Sequence, residues 1–251
     1  MSSQEPYEVR IRAVAIPLAL AAGRLAVSLA PGGTRMLTMW VHESGHAVAA
    51  WMCGYMAFPG PWFTPVSGSR SWAVTILVMA GLVAGIESAW RAGERRWAAA
   101  AAAMLAAVLY CRFALSPGRA EAFVIFMGDG GCFVLGTVLM LTIYVAADHP
   151  LRSGGVCWGL LVLGALAFAD AAHVWSGDVS RIPFGANENG MSDPSVLTEI
   201  HQWGVLALMR RYAALEAVCL ATLAAAYGMG LAGAVRARRA DARLASGARA
   251  S

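Results

Sequence analysis

The stretch Trp40-Val41-His42-Glu43-Ser44-Gly45-His46-Ala47-Val48-Ala49-Ala50-Trp51 sets two histidines and a glutamate inside an apolar run covering 35–57. Whether that run is a helix at bilayer depth or part of a soluble core decides the fold. Six further apolar segments settle the choice: 11–30, 71–90, 97–115, 121–147, 155–175 and 203–235. Several approach the roughly 20 residues that cross a bilayer as a helix. Backbone groups find no water in hydrocarbon, so each span must bond internally as a helix. The expected fold is an all-α, polytopic integral membrane bundle of six or seven transmembrane helices.

Composition agrees. The chain of 251 residues is 59% hydrophobic and 14% charged, with a mean hydropathy of +0.59, which excludes an ordinary soluble domain. The net charge of +4 resides in loops and at the C-terminus, so the expected partner is the lipid bilayer and not nucleic acid. All 19 basic residues are arginine. With the Ala-rich runs this suggests a GC-rich bacterial genome and hence the inner, cytoplasmic membrane. The 5 cysteines are scattered through apolar runs and form neither a disulfide framework nor a zinc-knuckle spacing.

Arg10 and Arg12 precede an apolar stretch, but Pro17 and Arg24 interrupt it and Pro31 follows Ser28-Leu29-Ala30. This reads as an uncleaved anchor and not as a signal peptide. The expected organisation is a polar head over 1–10, a single transmembrane domain over 11–235 with its site region at 35–147, and a basic, disordered cytoplasmic tail over 236–251. Within 203–235, Arg210 and Arg211 suggest an interfacial stretch before a span beginning near 212. The tail and the loop 91–97 carry the densest arginines and are assigned to the cytoplasm. The loop 176–202 then lies outside, with Asp178, Glu188, Asp193 and Glu199 against Arg181. Counting back through seven spans puts the N-terminus outside, against the preference of Arg10 and Arg12.

His42-Glu43-Ser44-Gly45-His46 matches H-E-x-x-H. Positions i and i+4 share a helix face, so both imidazoles can hold one zinc ion while Glu43 serves as general base toward the attacking water. Ionisable groups at bilayer depth are costly, about 2.5–3.5 kcal/mol per charged residue on insertion scales, and persist where a metal, a partner or a function repays it. A zinc site needs a third protein ligand. Asp129, in Phe126-Met127-Gly128-Asp129-Gly130-Gly131, lies in an apolar segment among small residues and is the first candidate. Asp170 and His173, an i, i+3 pair late in the sixth segment, are the alternatives.

H-E-x-G-H in one membrane helix and Asp-Gly-Gly in a later one resemble the site-2 protease family of intramembrane zinc metalloproteases. The likeness covers about residues 35–140, with Gly45 on the family's glycine and Asp129-Gly130-Gly131 on its second motif. It implies zinc held by His42, His46 and Asp129, Glu43 as the catalytic base, and a membrane-protein substrate cut in or near a transmembrane segment. The sequence departs from the family at Glu121 to Gly128, which lacks the usual Asn and Pro. It also departs in topology, since two spans between the motifs make the zinc-bearing helices antiparallel where the family has them parallel. The alternative is a non-proteolytic metal-binding scaffold or transporter. The Pro-rich loop after the motif, 58–70, is the expected edge for pairing with an unwound substrate strand.

Overall fold

The computed structural model describes residues 5–145, 149–187 and 190–247; Glu188 of the acidic loop lies outside them. Helices α1 (Glu5–Leu29) and α2 (Pro31–Met52) meet at Pro31, which suits a first helical position because it has no N–H to leave unbonded. A hairpin of β1 (Tyr55–Ala57) and β2 (Val66–Arg70) leads to α3 (Trp72–Arg91) and α4 (Arg95–Leu109). A π-helical turn at Tyr110–Ala114 precedes α5 (Pro117–Leu141), the short α6 (Pro150–Ser153) and α7 (Val156–Trp175). A second small hairpin, β3 (Ala186–Asn187) and β4 (Gly190–Met191), the turn α8 (Asp193–Ser195) and the long α9 (Val205–Gly247) complete the order.

The chain is an all-α integral membrane protein. Among the described residues six helices are long and apolar enough to cross a membrane: Ile11–Leu29, Trp72–Arg91, Arg95–Ala114, Pro117–Tyr144, Val156–Trp175 and Val205–Arg236. The motif helix α2 is the apolar segment that falls short, although its 22 residues would reach. Thr34, Arg35, Thr38, His42, Glu43, Ser44 and His46 lower its hydropathy. The interfacial break expected before residue 212 does not form: α9 runs without interruption past Arg210 and Arg211. It also continues to Gly247, through most of the tail read from sequence as disordered, because Ala and Arg are both strong helix formers.

Contacts group the chain into two compact units. The first comprises Met1–Thr38, Cys132–Arg181 and Leu208–Ser251. In it α1 packs on α7 through small residues; a Cβ on Gly23 would stand 2.8 Å from the Ala165 carbonyl oxygen. Gly136 and Gly164 make a similar close crossing, beside the edge-to-face pair Phe133 and Phe168 with centroids 5.1 Å apart. Trp175 stacks on Tyr212 at 4.0 Å. Asp170 accepts from Arg35 Nη1 at 3.0 Å and from Thr38 Oγ1 at 3.1 Å. The start of α1 lies at the connection between α5 and α7, where the Tyr144 hydroxyl donates to the Arg12 carbonyl at 3.4 Å. That end of the unit therefore gathers Arg12 with Tyr144, whose ring lies 6.0 Å from the guanidinium.

The second unit comprises Met39–Gly131 and Ile182–Ala207. Here α2 and the first half of α5 run antiparallel: His42 meets Asp129, His46 meets Val124, and Cys53 clusters with Ala120. Glycines permit the approach. A Cβ on Gly45 would stand 2.0 Å from the Met127 carbonyl oxygen, and one on Gly131 would stand 2.4 Å from the Gly45 Cα. Fully buried Ala47, Ala49 and Ala50 extend the contact toward Val124. The β1–β2 hairpin pairs Tyr55 with Arg70 and Ala57 with Val66. Arg70 donates to the carbonyls of Arg112 (2.9 Å) and Leu115 (2.8 Å), satisfying acceptors that the π-helical turn leaves open. Helices α3 and α4 pack on each other and leave Ile76, Leu77, Val83, Trp90, Trp97 and Met104 exposed, as lipid-facing helices do.

Gly45→Ala is expected to destabilise the protein by about 1–3 kcal/mol or more, because the added methyl meets backbone and not a side chain that can turn away. Gly81→Ala, with nothing within 4 Å of its would-be Cβ, should be neutral or slightly stabilising through helix propensity. Thermal unfolding of both variants in detergent checks the contrast.

Candidate metal centre

Helix α2 presents His42, Glu43 and His46 at helical spacing, all buried at 6%, 4% and 9% exposure. The other wall is α5. A Cβ on Gly128 would stand 2.6 Å from both imidazoles, so only a glycine lets the rings lie against that helix. His46 Nδ1 is 2.8 Å from the Val124 carbonyl oxygen. A carbonyl can only accept, so Nδ1 carries the proton and a neutral His46 has its lone pair on Nε2. His42 Nδ1 is likewise 2.9 Å from Asp129 Oδ1, a carboxylate buried to 2% exposure, which selects the same tautomer.

Both Nε2 lone pairs then point into one space. The two atoms are 3.1 Å apart, and Asp193 Oδ2 lies 3.1 Å from each. Three acceptors at this separation repel one another unless a proton or a metal cation lies among them. The donor set fits zinc. Tetrahedral coordination with bonds of about 2.0–2.1 Å asks for donors about 3.3 Å apart, and N,N,O is a usual zinc set. Backing of each imidazole by a carboxylate or a backbone carbonyl is also how metal-bound histidines are held and oriented. Burial alone would raise the Asp193 carboxyl, but the facing His46 and His42 outweigh it and hold the group below the ordinary carboxylate range.

Asp193 is delivered by the second segment of the same unit. Ser192 N–H donates to the Gly185 carbonyl at 2.8 Å, and Gly185 N–H donates to Ser195 Oγ at 2.8 Å. These bonds close the loop around β3–β4 and fix the turn that carries Asp193. Leu197 is fully buried behind it. The Trp203 ring rests on Phe126 of α5 at 5.9 Å. On the other flank, Thr64 Oγ1 donates to the Glu43 carbonyl at 3.0 Å and ties the loop of the β1–β2 hairpin to the motif helix. Phe58, Trp62 and Phe63 of that loop are exposed.

The structure thus brings His42, Glu43, His46 and Asp129 into one unit. Asp129 meets the ring nitrogen of His42 that does not face His46. Asp170 and His173 belong to the other unit, where the Asp170 carboxylate is engaged by Arg35 and Thr38. Asp193 escaped the sequence reading as a site residue. It was counted only among the acids of an outer loop, and Ser192-Asp193-Pro194 carries no signal beyond a turn start. A scan of protein-family models, a search of curated proteins and a search of solved structures each return no match to this chain.

A metal at this site should bind more weakly as pH falls, because protons compete for the imidazole lone pairs. Equilibrium dialysis against zinc across the acidic range measures the apparent affinity, and an affinity that does not change with pH would exclude histidine ligation.

Proposed function

We propose that this chain is an intramembrane zinc metalloprotease that hydrolyses a peptide bond in or near a transmembrane segment of a membrane-protein substrate. The observation that carries the reading is the pair of Nε2 atoms 3.1 Å apart on a helix whose intervening glutamate is buried beside them. The H-E-x-G-H and Asp-Gly-Gly motifs, which resemble those of site-2 proteases, point the same way. His42 and His46 would hold the metal. Asp129 orients His42 and raises its basicity, and the Val124 carbonyl does the same for His46. Zinc, when bound, polarises the scissile carbonyl and lowers the pKa of water. Glu43 takes the proton of the attacking water and passes it to the leaving amine.

A substrate helix hides its carbonyls in its own hydrogen bonds and must unwind to be cut. The β1–β2 hairpin offers a strand edge for the unwound segment, and Thr64 holds its loop one residue from His42. We assign the arginine-rich loop 91–97 and both termini to the cytoplasmic side of a bacterial inner membrane. That assignment satisfies Arg10, Arg12 and the tail together. The hairpin and the 182–204 loop then share the opposite side.

Glu43→Gln is expected to keep one zinc per chain and to lower cleavage of single-span reporter substrates in proteoliposomes at least 100-fold. A non-proteolytic metal-binding scaffold or transporter is the second reading. The absence of Asn and Pro from Glu121–Gly128 and the antiparallel motif helices favour it. Zinc binding without cleavage in wild type, unaltered by Glu43→Gln, would select it. In the protease reading Trp62→Ala and Phe63→Ala should each reduce kcat/KM on the same reporters several-fold with zinc content unchanged; intact activity removes the loop from substrate binding.

A further inference from the structure

We propose that Asp193, on the 182–204 loop, is the third protein ligand of the metal, and that Asp129 serves as the carboxylate behind His42. This rests on the metal-site reading above and extends it by assigning the ligand set.

Geometry separates the two aspartates. Asp193 Oδ2 is 3.1 Å from the Nε2 of both histidines, equal to the distance between those two atoms. The three donors form an equilateral face, which is what three ligands of one tetrahedral ion present. Asp129 Oδ1 is 2.9 Å from His42 Nδ1, at the far nitrogen of the same ring. A ring that binds metal through Nε2 uses Nδ1–H for an acceptor of this kind, and such partners tune a ligand without being one. Exposure also divides them: the Asp129 side chain is 3% accessible and the Asp193 side chain 28%. The fourth position of the metal must admit water, and the partly exposed Asp193 side chain marks the side from which water can come.

The second unit is built from two chain segments, 39–131 and 182–207. With Asp193 as ligand, the metal joins them. Metal binding then secures the loop, and the loop's own hydrogen bonds hold the ligand in place when metal is absent.

Full-length protein in detergent, with zinc as the probe, tests this by competition against a chromophoric chelator. Asp193→Asn keeps the shape of the side chain and should lower zinc affinity at least 30-fold. Asp129→Asn should cost about 10–100-fold yet leave stoichiometric binding at high zinc. Cobalt-loaded Asp193→Cys should add a thiolate-to-cobalt charge-transfer band absent from the cobalt-loaded wild type, a signature that a residue acting only on the fold cannot produce. Asp193→Asn binding zinc within threefold of wild type, or Asp193→Cys without the band, overturns the assignment. If that happens while His46→Ala still abolishes binding, the metalloprotease reading survives with a different third ligand. If His46→Ala binds zinc as wild type does, both readings fall.

Discussion

The contact of Gly45 with Met127, Gly128 and Gly131 is the constraint on which the rest of the second unit depends. Helices that touch through side chains of ordinary size lie 8–10 Å apart. Here backbone meets backbone, and the space a Cβ would need does not exist. Only at that separation can a side chain as short as aspartate and a main-chain carbonyl both reach an imidazole on the facing helix. The hydrogen bonds to Nδ1 follow from the close approach. The tautomers follow from those bonds, and the convergence of the Nε2 lone pairs follows from the tautomers. The glycines of H-E-x-G-H and Asp-Gly-Gly thus act through distance, and the polar residues between them act through charge.

Polarity in α2 is distributed so that its groups have partners. In the first unit Arg35 and Thr38 share the buried carboxylate of Asp170, and Thr34 bonds back to the Ala30 and Pro31 carbonyls. In the second, His42 and His46 have acceptors for both Nδ1–H groups, and the Ser44 hydroxyl bonds back to the Trp40 carbonyl. A polar network in a low-dielectric interior is tolerable only when its members are satisfied. Between the two Nε2 atoms and Asp193 three acceptors lie 3.1 Å apart, an arrangement that a proton or a metal cation reconciles.

The fold was legible because hydropathy alone excludes a water-soluble chain, and a bilayer leaves helices as the economical way to bond the backbone. Histidine spacing was legible for the same reason: a 3.6-residue period places i and i+4 together whatever else the chain does. Asp129 stood out because an acid amid apolar residues is conspicuous. Its contact with Nδ1 was not legible, since spacing says which residues share a face and not which atom meets which. Asp193 was hidden by its surroundings. An aspartate in a polar loop costs nothing, so composition gives no reason to single it out. The α9 break was misread because Arg210 and Arg211 look like an interface boundary, whereas a long side chain can carry its charge outward along an unbroken helix.

In the metalloprotease reading, a ligand carried on a loop differs from one carried on a packed helix in how firmly the fold holds it. Ligands on two packed helices are fixed by the fold and present whenever it is. A ligand on a loop is held through that loop's own bonds, here Ser192 N–H to the Gly185 carbonyl and Gly185 N–H to Ser195 Oγ, and through the buried Leu197. The loop and the β1–β2 hairpin both belong to the unit that carries the histidines, and Thr64 and Asp193 approach the same two turns of α2. In the protease reading, substrate engagement at the hairpin and metal coordination at the histidines would be two demands on one short stretch of α2, the polar helix beside the six described ones apolar enough to span.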